Sequence, residues 1–129
     1  LEGHDVNAFH QAATAYAAAA PIRTHQDTEY DAFAQITHRM RRAARAGRKA
    51  FPDLVAALHD NRRLWTILAV EVADEANALP RDLRARIFYL AEFIAQHTPK
   101  VLTREAGAEA LIEINTAIMR GLRGQTGGS

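Results

Sequence analysis

Six positions constrain this 129-residue chain more than any others. Leu54, Leu58, Asn61, Trp65, Leu68 and Val72 recur at alternating steps of four and three. That spacing returns every one of them to a single face of an α-helix, and strand periodicity cannot do so. Pro52 precedes the run, where its missing N–H suits a first helical turn, and Asp53 beside it favours the positive N-terminal end. From Leu64 to Ala73 the sequence "LWTILAVEVA" is apolar almost all round. A helix of that kind is expected at the centre of a bundle, with neighbours on several sides. It is expected to reach Ala76, with Asn77 closing it in the left-handed conformation before "ALP" turns the chain at Pro80.

The rest of the chain reads the same way. Alternating apolar and polar runs are absent, so the expected fold class is all-α, a single-domain bundle of about five helices. The first is an alanine-rich segment from Val6 to Ala20, stopped by Pro21, with a thin face built on Phe9 and Tyr16. The second runs from about Thr28 to Ala46, with Asp27 or Thr28 as cap and Gly47 as its stop. Tyr30, Phe33, Ile36, Thr37, Met40 and Ala44 mark its buried face. The stripe from Pro52 is the third. The fourth opens at Pro80 and should end before Pro99, because the residue preceding proline resists helix. Leu83, Ile87, Leu90 and Ile94 form its main face, Tyr89 and Phe93 a second ridge, and Phe88 a third. A connector, "KVLTREAGA", leads to the fifth, from about Ala108 to Leu122, ended by "RGLRG". Residues 1–5 read as a cloning remnant, 6–123 as one helical domain and 124–129 as a flexible tail or linker.

Composition narrows the function. The net charge of +1 sets up no strong field toward nucleic acid, and the absence of cysteine rules out a disulfide framework and thiolate chemistry. No apolar run approaches ~18 residues, so membrane insertion is not expected, and a cytoplasmic location suits the lack of cysteine. None of the six histidines lies three or four residues from another, and no HExxH, P-loop, GxGxxG or GxSxG occurs. No metal, no cofactor and no enzymatic activity is expected.

Two features remain. Arg41, Arg45 and Arg48 fall on one helical face within "HRMRRAARAGRK" and could meet RNA phosphates. The simpler reading is a solvated face near a helix C-terminus, since no aromatic side chains interleave to stack bases. The second feature is a pair of carboxamides in apolar stripes. Asn61 lies three residues after Leu58 and four before Trp65; Asn115 lies four after Leu111 and three before Ile118. A buried carboxamide without partners costs ~1–3 kcal/mol, so each must bond to the fold or to a ligand. The favoured reading is structural: the two lie near each other and hold helix register. Arg62 and Arg63 complete that motif; Arg63 is carried away from the stripe and could meet Asp60, Asp74 or Glu75 only where the helix turn or a neighbour allows.

Taken in order, "VNAFHQAATAY", "NRRLWTILA" followed by "NALP", and "LIEINTAIMRGL" resemble the FlaF family of flagellar biosynthesis regulators, over roughly Val6 to Gly121. Asn61, Arg62, Arg63, Leu64, Asn77, Pro80 and Asn115 carry the motifs. The resemblance implies a small cytoplasmic, non-enzymatic protein needed for flagellar filament assembly. It implies flagellin as partner, a secretion-chaperone role that promotes flagellin synthesis or export, and action opposite FlbT. An RNA-linked regulator of flagellin expression is the alternative. Flagellin's terminal amphipathic helices would lie in a groove between helices of this chain. Trp65, Ile67, Val70, Phe88, Tyr89 and Phe93 are the candidate contacts, with core packing the favoured reading for Trp65. The first helix is a candidate occupant of that groove when flagellin is absent.

Overall fold

The computed structural model describes the backbone of residues 25–127 and the side chains of residues 29–121. Among them the fold is all-α. It holds four α-helices rather than about five: α1 (His25–Ala46), α2 (Phe51–Ala73), α3 (Arg81–Leu102) and α4 (Glu109–Gly127), with a 3-10 turn over Gly47–Ala50. The expected first segment, Val6 to Ala20, lies outside the described residues. Helix α2 packs against α1 on one side and α3 on the other, α4 lies on α1, and α3 and α4 barely touch. The apolar-all-round helix is therefore, with α1, one of the two inner members of the bundle.

Each helix buries a stripe of the expected period. Phe33, Met40 and Ala43 come from α1, Leu58, Trp65, Leu68 and Val72 from α2, Ile87, Ile94 and Val101 from α3, and Leu111 and Ile118 from α4. Phe33 and Trp65 meet edge to face, with ring centroids 5.5 Å apart. Such a contact adds about 0.5–1.5 kcal/mol beyond burial. Ala44, expected in the core, is exposed, and Ala43 takes its place.

Several boundaries differ from expectation, each for a visible reason. Gly47 does close α1, at φ +80°, where a side chain would strain the backbone. Helix α2 stops at Ala73, three residues early, because Asp74 is extended. Asn77 does not adopt the left-handed conformation; Arg104 is the one non-glycine residue with positive φ among the described residues. Asn77 works through its side chain instead. Its Nδ2 donates to the Glu71 carbonyl at 3.1 Å, and its Oδ1 accepts from the Leu79 amide at 2.9 Å. Arg84 Nη1 adds a 2.9 Å bond to the Asp74 carbonyl, fastening the start of α3 to the end of α2. Pro80 then stands just outside α3 as its N-cap.

Pro99 does not end the fourth expected helix but lies inside α3, which continues to Leu102. Pro99 and Ala95, whose carbonyl loses its usual donor, are both on the exposed face, so water can satisfy the orphan. The helix ends three residues later in a Schellman arrangement. Arg104 is left-handed at φ 64°, its amide bonds to Val101, and the Glu105 amide bonds to Lys100 at 2.8 Å. The Arg104 guanidinium lies over the Phe51 ring, 4.3 Å from its centroid. Helix α4 likewise runs past the expected end at Leu122, to Gly127.

The two carboxamides meet inside this frame. Asn115 on α4 is fully buried and uses its side chain on three partners. Its Oδ1 accepts the Trp65 indole N–H at 2.8 Å, and its Nδ2 donates to Thr37 Oγ1 at 3.0 Å and Asn61 Oδ1 at 2.8 Å. Turning the amide over would set its NH2 against the indole N–H, so the network fixes its orientation. Asn61 Nδ2 is buried and has no partner among the described residues. Helices α1, α2 and α4 thus share one polar centre that only one register satisfies. Asn115→Leu, which leaves three buried groups unpaired, should lower the urea unfolding free energy by about 3 kcal/mol or more. Asn61→Leu also removes the unpaired amide and should cost about 2 kcal/mol less; the opposite order would place the stabilising centre elsewhere.

Candidate functional site

Helices α2 and α3 run antiparallel, as the Arg84 bond to the end of α2 requires. Their outer sides leave a groove of about 260 Å³. That is below the ~300–1,000 Å³ of small-molecule pockets and suits the ridge of another helix. Helix α2 contributes Arg62, Trp65, Thr66, Ala69 and Val70; α3 contributes Phe88, Ala91, Glu92, Ile94 and Ala95. Trp65 and Ile94 form the floor, both buried. Thr66, Ala69, Ala91 and Ala95 are short, so they leave the groove open rather than filling it. Val70 and Phe88 stand at one end, 68% and 44% exposed.

The expected contact residues divide. Trp65, Val70 and Phe88 come together here, though Trp65, with 1% exposure, belongs to the core and offers only the floor. Ile67 is half-buried and lines an adjoining depression with His59, Arg62, Arg63 and Thr66. Tyr89 and Phe93 do not line the groove. Phe93 is five residues from Phe88, which carries it about 140° round the helix. It stacks on His97 with ring centroids 5.1 Å apart. Tyr89 is 69% exposed.

Sequence reasoning missed the groove's small residues and its one carboxylate, Glu92. Ala91 and Ala95 are four apart, and Thr66 and Ala69 three apart, which is the signal that could have found them. The arginine patch is spread out. Arg41 reaches Thr116 Oγ1 on α4 at 3.5 Å, a weak contact, Arg45 is exposed, and Arg48 lines a separate cleft with Phe51 and Arg104. Arg63 does not meet Asp60, which is 2.7 Å from Arg39. Among the described residues no group of histidines and carboxylates could hold a metal ion, and no helix is long and apolar enough to cross a membrane.

Fold and groove together define a small all-α protein with an apolar, solvent-facing furrow beside α2. The chain matches the family model "Flagellar protein FlaF" over residues 12–122. It therefore belongs to the FlaF family of flagellar proteins. The match covers "NRRLWTILA", "NALP" and "LIEINTAIMRGL" in full, and the first motif from Ala12 onward. No curated protein and no solved structure matches the chain.

Floor and rim should separate in a stability measurement. Val70→Ser, on the rim, should stay within about 0.5 kcal/mol of the parent in urea unfolding. Trp65→Ala should cost roughly 3–5 kcal/mol and leave Asn115 short of a donor. A rim substitution as damaging as Trp65→Ala would show that the rim is packed, not free.

Proposed function

We propose that this chain is a non-enzymatic, cytoplasmic flagellar assembly factor that binds flagellin as a secretion chaperone and so promotes its synthesis and export. The observation that carries the reading is the α2–α3 groove: a buried floor, short side chains along its length, and Val70 and Phe88 open to solvent at one end. An apolar furrow with short side chains along its length suits the ridge of a partner helix. Family membership supplies the flagellar setting. Flagellin's terminal amphipathic helices offer the matching surface, an apolar ridge that would otherwise meet water before assembly. The groove covers that ridge in the helix-in-groove mode and releases it at the export machinery. FlbT acts opposite this protein in the same scheme.

The RNA-linked alternative rests on Arg41, Arg45 and Arg48, and the two readings respond differently to salt. Flagellin binding through apolar contacts should persist in moderate salt, whereas phosphate contacts should weaken steeply. In calorimetry, purified flagellin should bind the parent chain, and Phe88→Asp or Val70→Asp should weaken it about tenfold, a loss of ~1.4 kcal/mol. Absence of flagellin binding, together with a salt-sensitive gel shift of the flagellin leader RNA, would overturn the proposal.

A further inference from the structure

The groove is not uniform along its length. Because α2 and α3 are antiparallel, Val70 and Phe88 lie at one end, and Arg62 stands opposite Ala95 toward the other. Arg62 also borders the adjoining depression, where it joins Arg63 and His59. These three fall on one side of α2 at steps of three and four. Neither Arg62 nor Arg63 has an ion pair or side-chain hydrogen bond among the described residues. Asp60, the nearest carboxylate in sequence, is taken by Arg39. Glu92 is the one carboxylate on the groove wall, and it makes no ion pair with Arg62 although both line the same furrow. The groove therefore runs from an apolar end to an end where Arg62, with Arg63 in the adjoining depression, has no side-chain partner among the described residues.

We infer that the segment it accepts is an amphipathic helix whose apolar ridge lies along Val70 and Phe88 and whose last turn carries carboxylates that meet Arg62 and Arg63. The inference rests on the reading of the groove as a docking site for a partner helix. Two charge arguments agree on the direction. Carboxylates at that end find unpaired guanidinium groups, which favour planar bidentate contact. The C-terminal end of a helix is itself negative, so the docked helix runs parallel to α3, with that end at the arginines. Glu92 disfavours acidic residues along the middle of the ridge and so confines the acidic cluster to the end.

The test uses the full chain and two fluorescein-labelled, amidated helical peptides with the same leucine–alanine ridge. One carries glutamates in its last turn, the other lysines. In fluorescence anisotropy at low salt the acidic peptide should bind about tenfold tighter, and the margin should shrink as salt rises. Arg62→Glu, an exposed position whose fold is checked by circular dichroism, should reverse the preference. That reversal separates contact with Arg62 from the peptides' own helicity; Arg63→Gln, which reduces the preference without adding charge, supplies a second variant. Equal affinities, or a preference unchanged in both variants, would overturn the inference. If neither peptide binds while flagellin does, the inference falls and the chaperone reading stands; if flagellin also fails to bind, both fall.

Discussion

The Asn115 carboxamide is the constraint on which the rest of this structure depends. It is fully buried, and it accepts from Trp65 while donating to Thr37 and Asn61. Apolar stripes alone allow helices to slide by a turn with little loss, because leucine and isoleucine are interchangeable to a first approximation. Three directional bonds to three side chains on two other helices do not allow it. Displacing α4 by one turn would strand an indole N–H, a hydroxyl and a carbonyl in the core, each at ~1–3 kcal/mol. The network therefore selects one packing, and the apolar contacts stabilise it.

Trp65 carries that constraint to the surface. Its N–H is committed to Asn115, its ring meets Phe33 edge to face, and its opposite flank is the floor of the α2–α3 groove. The floor is thus held by the core. Short side chains above it keep the furrow open, and Arg62, without a side-chain partner among the described residues, lines one end of it. A site organised in this way needs little ordering on binding, which favours affinity for a helix that arrives already amphipathic.

Much of this was readable from residue spacing. The stripes of α1, α2 and α4, the glycine stop at Gly47 and the place of Asn61 and Asn115 among buried positions all follow from helical periodicity. What was not readable was tertiary. Whether Pro99 ends a helix depends on which face it occupies, and it occupies the solvent face, where its orphan carbonyl is tolerable. Asn77 caps through its side chain because Arg84, seven residues later, shares the task of covering the freed carbonyls. The groove itself came out smaller than the apolar surplus suggested. Phe88 joins Val70 there, but Phe93 and Tyr89 point elsewhere, because five residues or one residue along a helix is the wrong rotation.

The most direct measurement is amide hydrogen exchange followed by mass spectrometry, with and without flagellin. If the groove is the docking site, flagellin should slow exchange in peptides spanning 62–70 and 88–95, while peptides from α1 stay unchanged. Slowed exchange around Arg41 to Arg48, with α2 and α3 unaffected, would contradict the account.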